Sequence, residues 1–513
     1  MQRKNSELSA LLEQLDLGIS VAESDPLLEV ARIETSAFSD LFHDRVDLVP
    51  GTKGSGKTAL FRIFVEFLPS GLLSQKKVII AHGVHSLGNP VFHAFNDEFS
   101  KLSEEEFVSF WCIYLVSLAH EQFIKNPEYR ALLTPAIGKI GKFKEACENA
   151  GIPEIQSEKS LLDVLGWALH ALRSWRPKLK YKDPACGEFE LDLFGSVGDF
   201  PPSKEGEVNN TNDSLPSYAN DIKSALEEVL KSCDLSLWLM VDRLDEVFPR
   251  RSEVEKRALR GLLKAINYFR SPSIRVKVFL RDDMLEEIVS SGEGFTALTH
   301  VTARQSDTLR WGEEQIKTFV VKRFSANDAL VKHLNLDKEK LNASATYRDE
   351  CFYKIFPPTV HKGTNQSSTI RWIYNRCSDG KGVVTPRDVL DLLIRAKQRQ
   401  QDICKADPDG DVGCIIGASA LQYGFEELSK RKRDTYLSAE FPHLWQHIQK
   451  FSEGKTQYSE SAIKKLLGSA KWQKVTDDLL SIGFLSKSVR RGKTSFDIPF
   501  LYRHGMKLTQ GNA

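Results

Sequence analysis

The sequence predicts an α/β chain: a parallel sheet sandwiched by helices, followed by a helical lid and a small C-terminal winged helix. Three observations predict it. Between residues 46 and 281, short apolar runs alternate with helical periodicity, the pattern of a parallel sheet covered by helices on both faces. From Leu309 the periodicity turns mainly helical. The tail reads as two helices and then a β-hairpin.

Length and composition bound the function classes. A chain of 513 residues implies about three domains. The hydrophobic fraction of 41% and charged fraction of 27% are those of an ordinary soluble globular protein. A net charge of +1 excludes a wholly polybasic nucleic-acid coat and leaves a local basic face open. None of the 8 cysteines forms C-x-x-C, and no Cys/His set has zinc spacing, so reduced thiols in a cytoplasmic protein are expected. Met1 to Leu17 lacks a signal-type apolar run, and no stretch is long and apolar enough for a membrane span. His43, His82, His85, His93 and His120 are scattered, with no nuclease, protease or deaminase constellation.

The elements follow in order. Residues 1–40 form a helical lead-in, with Leu8, Leu11, Leu12 and Leu15 at helical spacing, either packed on its own domain or docking a partner. Residues 41–308 form the sheet domain. Its strands are Val46–Val49, Lys77–Ala81, Leu235–Val241 and Ile274–Leu280; its helices are Gly56–Phe67, the aromatic-rich Phe107–Phe123, Ser217–Cys233 and Glu253–Arg270. An insertion spans about 125–233, with a short strand in Gly187–Phe194 and a loop rich in Gly, Pro, Ser, Asn and Glu at Gly198–Asn212. Residues 309–433 form the lid, with helices Gly312–Phe324, Thr369–Cys377, Thr385–Arg399 and Ala418–Arg433, broken at Asp407–Gly413. Residues 434–513 form the winged helix: helices Ser459–Leu467 and Lys471–Ile482, strand Phe484–Val489, the turn Arg490–Lys493 and strand Ser495–Ile498.

The chemistry concentrates first at Gly51-Thr52-Lys53-Gly54-Ser55-Gly56-Lys57-Thr58-Ala59, which matches G-x-x-x-x-G-K-[ST] in full between a strand and a helix. Its glycines let backbone N–H groups approach phosphates. Lys57 is placed to reach the β- and γ-phosphates, and the Thr58 hydroxyl to ligate Mg²⁺. The helix start adds a positive dipole end. The motif implies a bound nucleoside triphosphate with Mg²⁺.

The second motif is Val241-Asp242-Arg243-Leu244-Asp245-Glu246, an apolar strand ending in acids. Asp242 is the expected metal ligand of a Walker B element, and Asp245 or Glu246 the group that polarises water, with Glu246 favoured. Arg281 ends the last strand, at the carboxyl ends of the strands where ligands bind; it either reads the γ-phosphate or pairs with Asp282 or Asp283. Arg387, behind the Thr385 cap and Pro386, either reaches the nucleotide from the lid or stays a surface residue. Arg323 is a weaker candidate for a neighbouring subunit's site.

These motifs resemble the ASCE division of P-loop ATPases, and within it the AAA+/STAND-like bacterial ATPases of KAP and related types. The match covers residues 40–325, and the lid and wing agree in layout. The resemblance implies a P-loop NTPase fold, ATP and Mg²⁺ as cofactors, homo-oligomers, Asp242 as the Walker B acid, Arg281 as sensor 1 and Arg387 as a sensor-2-like residue. The sequence departs from plain AAA+ proteins, where Glu directly follows the Walker B Asp; here Arg243 does. Relatives in phage defence imply a regulatory ATPase acting on a separately encoded effector. Two other readings stay open: a DNA-binding loader or initiator-like ATPase using the wing, and a nucleotide-locked scaffold. The wing carries Lys464, Lys465, Lys471, Lys474, Lys487, Arg490, Arg491, Lys493, Arg503 and Lys507, which suit phosphate contacts or a protein-docking face.

Overall fold

The computed structural model describes residues 3–68, 76–83, 96–149, 178–183, 187–192, 215–248, 252–290, 297–468, 471–490 and 492–513. It divides into two compact units. One comprises Met1–Thr35, Lys53–Ala59 and Arg310–Ala513; the other comprises Ser36–Thr52 and Leu60–Leu309.

The second unit is built on a parallel sheet in the order Leu48–Gly51, Ile274–Arg281, Ser236–Val241, Val78–Gly83. Residues 305–309 run beside the outer edge of Leu48–Gly51, through the parallel bridges Leu48↔Gln305 and Gly51↔Leu309. The strands read as apolar runs because both of their faces are covered. Ile79, Ala81, Leu237, Leu239, Val241, Val276, Val278 and Leu280 share one buried cluster with helices Glu104–Lys125 and Glu253–Phe269. The alternate residues face aromatic rings on the other side, with Phe61 5.7 Å from Phe279 and Phe64 6.2 Å from Trp238 between ring centroids. Ser103 and Glu106 form a capping box that starts Glu104–Lys125. Gly261 lets that helix approach Glu253–Phe269: a Cβ on Gly261 would sit 2.6 Å from Phe107 Cβ.

Boundaries differ from the sequence expectation by a few residues. The helix after the phosphate loop is α-helical only over Lys57–Arg62 and continues as a π-helix over Ile63–Phe67. The strand expected in Gly187–Phe194 occupies Gly187–Asp192 and pairs antiparallel with Lys178–Asp183, a strand not expected from the sequence. Lys178–Asp183 carries only two apolar residues, Leu179 and Tyr181, too few to stand out as a run. The loop expected at Gly198–Asn212 lies outside the described residues.

The first unit holds the lid helices and the wing around one apolar cluster. Leu8, Leu11 and Leu12 of helix Asn5–Gln14 are buried in the same cluster as Val389, Leu392 and Leu393 of helix Pro386–Ala406. The lead-in therefore packs on its own unit. The expected lid helices are found at Glu313–Ser325, Thr369–Cys377, Pro386–Ala406 and Ala418–Arg431. The basic run at the end of the last one is largely neutralised: Lys430 meets Glu427, Arg431 meets Asp391 and Lys432 meets Asp388.

The tail folds as helix Pro442–Gln449, strand Lys455–Ser459, helices Glu460–Leu467 and Trp472–Ser481, and the hairpin Ser486–Arg490 with Lys493–Asp497. Lys455–Ser459 pairs antiparallel with the second hairpin strand and parallel with Thr509–Asn512. Gly483 ends the second helix at φ 73°. This is a winged helix with one added edge strand. Arg491, at the tip, lies outside the described residues. Among the described residues the cysteines are free, and no helix is long and apolar enough to cross a membrane. Burial pushes the Cys112 and Cys147 thiols up to about 12.

Candidate nucleotide site

Parallel pairing brings three predicted positions to one end of the sheet. Gly51 and Arg281 are register partners. Val241, the last residue before Asp242, is paired with Val278 on the same strand as Arg281. The Arg281 strand thus lies between the phosphate-loop strand and the Asp242 strand. This is the carboxyl end of the strands, where open α/β sheets bind ligands.

The acidic element has an arrangement that the sequence did not disclose. Asp242 is buried, and Arg243 behind it takes a left-handed backbone at φ 61°. The turn points Arg243 back along a short 3₁₀ helix, where Nη2 donates to Glu246 Oε1 at 2.8 Å. Arg281 donates from Nη1 to Asp245 Oδ2 at 3.3 Å. It also grips Asp283 with two bonds, Nε to Oδ1 at 2.9 Å and Nη2 to Oδ2 at 2.8 Å. Each candidate for the water-polarising carboxylate is therefore paired with an arginine.

The loop itself is shaped by Gly54 at φ 85° and Gly56 at φ 100°, conformations that a side chain would strain. A Cβ on Gly54 would lie 3.2 Å from Arg387 Cβ and 3.4 Å from Thr385 Oγ1, so Arg387 sits against the loop. Thr385 caps its helix by accepting from Asp388 N at 3.2 Å, and Arg387 Nε donates to the Ser20 carbonyl at 3.2 Å. Trp311 Nε1 donates to the Ser55 carbonyl at 2.7 Å, and Lys53 pairs with Glu440. Ser20, Trp311 and Glu440 belong to no motif, so nothing in the sequence marked them.

The residues fit a phosphate chain. The loop supplies glycine backbone at positive φ, a helix start at Lys57, and a fully buried Ser55 whose Oγ has no hydrogen-bond partner among the described residues. Arg387 meets the loop in one unit, whereas Asp242, Asp245, Glu246 and Arg281 belong to the other. The expectation for Arg323 is corrected. This arginine is buried against Asp25, with Nη1 donating to Oδ1 at 2.8 Å, and is not presented to a neighbouring subunit.

No protein-family model and no curated protein matches the chain. Among solved structures it is similar to Cdc6p from Pyrobaculum aerophilum, at 10% identity and TM-score 0.30, with 92% of both chains covered. It is also similar to the ORC2 protein of Aeropyrum pernix in its ADPNP–ADP complexes, at 13% identity and TM-score 0.39, with 94% of both chains covered. The ADP form of that protein gives 12% identity and TM-score 0.32, covering 93% of this chain and 91% of the other. Overlaps this loose carry no argument about family, ligand or activity.

Proposed function

We propose that the chain binds and hydrolyses Mg·ATP at the Gly51–Thr58 loop and couples the nucleotide state to DNA held by its winged helix. The observation that carries the first half is the loop, complete in sequence and joined to a parallel strand whose register partner ends in Arg281. In this reading bound Mg·ATP supplies the anhydride to be cleaved and the metal charge that steadies it. By their motifs, the loop N–H groups and Lys57 would bind phosphate, and Thr58 and Asp242 would hold the metal. Glu246 or Asp245 would orient the attacking water, and the γ-phosphate roles of Arg281 and Arg387 rest on the sequence resemblance. Pairing of Glu246 Oε1 with Arg243 leaves Oε2 as the oxygen that would meet a water.

The DNA half rests on exposed Lys464, Lys465, Lys471, Lys474, Lys487 and Lys493 across the two helices and the hairpin of the wing. A separate protein effector, phage defence and self-assembly rest on the sequence resemblance alone. The test is ATP binding by calorimetry with parent and Lys57→Ala. We expect binding to weaken at least about tenfold, as removal of a charge-assisted bond to phosphate does; equal affinity would overturn the assignment. Duplex DNA binding by the parent at low salt tests the second half, and its absence would remove it.

A further inference from the structure

We propose that Arg376 and Arg503, gathered around Phe500, form an oxyanion site that takes a phosphate group, free or esterified in a nucleic-acid backbone. The site lies within one unit, where helices Thr369–Cys377, Ala418–Arg431 and Phe500–Arg503 meet. Arg376 Cζ is 3.8 Å from the Phe500 ring centroid, 5.2 Å from Trp372 and 5.6 Å from Phe425. Arg503 Cζ is 4.1 Å from the same Phe500 centroid. Two guanidinium groups thus share one ring that is 37% exposed.

No carboxylate pairs directly with either guanidinium among the described residues. Among the described residues Arg376 makes no hydrogen bond and no ion pair, and its half-buried guanidinium lies against aromatic rings. Arg503 uses Nε on the Ile498 carbonyl at 2.7 Å and forms no ion pair among the described residues. The Asp497 carboxylate acts favourably on Arg503 without pairing with it, and accepts from Ser488 Oγ at 3.3 Å. Burial, helped by the charge of Arg503, pushes Arg376 down to about 10. Cation–π contacts offset part of the cost of two adjacent partly buried cations. A phosphate, with oxygens for both planar forks, offsets the rest.

The test uses the full chain carrying Lys57→Ala, so that the phosphate loop does not contribute. Thermal unfolding is followed in sodium phosphate and in sodium chloride at matched ionic strength. Phosphate should raise Tm, since a ligand of the native state stabilises it. Adding Arg376→Gln and Arg503→Gln should weaken the apparent phosphate affinity about tenfold or more, and Arg376→Lys, which keeps charge but lacks the fork, should fall between. If the double variant does not fold, Arg376→Lys and Arg503→Gln singly carry the measurement. An unchanged phosphate response in the arginine variants, or none in the Lys57→Ala chain, overturns the proposal. Displacement of phosphate by a duplex lacking terminal phosphates assigns the site to a nucleic-acid backbone; failure of the duplex to compete assigns it to a free phosphate ligand.

Discussion

Arg243, next to Asp242, has a left-handed backbone, an uncommon conformation for a residue with a long side chain. The turn brings Glu246, three residues on, into contact with it. Glu246→Gln is expected to lower kcat by about a hundredfold or more while leaving ATP affinity nearly unchanged, the signature of a missing general base. Asp242→Asn is expected to weaken Mg·ATP binding as well as turnover. Single-turnover kinetics with calorimetry distinguishes them. Full turnover in Glu246→Gln, with loss in Asp245→Asn, assigns the base to Asp245 instead.

Strand ends are tied by charge at the opposite end of the sheet from Gly51. Lys277 is fully buried and donates to Asp47 at 2.9 Å and to the Val46 carbonyl at 2.6 Å, with Asp44 also in contact. Arg304 adds a bond to Asp47 at 2.7 Å. Burial alone would raise the Asp47 carboxyl; the Lys277 charge and the Arg304 bond outweigh it and hold it below its usual range. On Lys277 burial wins, drawing the ammonium below its ordinary value against the pull of Asp47 and Asp44. A depressed carboxyl contributes stability that is present above its unfolded pKa and is lost as pH falls through the folded one. Unfolding of the sheet unit should therefore steepen below about pH 4. Asp47→Asn is expected to cost about 3 kcal/mol, because it strips a partner from a buried ammonium, and Asp47→Asn with Lys277→Met should recover part of that cost. Denaturant titration measures both. In the other unit, Thr385→Ala should cost about 1 kcal/mol through its cap.

For the whole molecule the decisive question is what the wing touches. Lys474→Glu, Lys487→Glu and Lys493→Glu together should weaken duplex binding and flatten its salt dependence, by about 0.9 in the log–log slope for each phosphate no longer neutralised. ATPase activity of the isolated chain should survive, because none of the three is a proposed nucleotide ligand. Anisotropy titrations at two salt concentrations check it. Unchanged DNA affinity would place the DNA away from the wing.

The phosphate loop, the apolar strands and the helix–helix–hairpin tail were legible in the sequence because each is a local pattern. A strand buried on both faces must be apolar throughout, a loop that bends through positive φ needs glycine, and a helix start announces its cap. Partners distant along the chain were not legible. Arg281 was placed at a strand end by its sequence, but only pairing across the sheet put it beside Gly51 and onto Asp245. Arg323 looked available to a neighbour until Asp25, 298 positions away, met it. Trp311, Glu440 and the Arg376–Phe500 group carry no motif, since a side chain's partner is set by where helices pack and not by spacing along the chain. Local patterns determined which chemistry this chain carries; long-range packing decided which groups hold it in place.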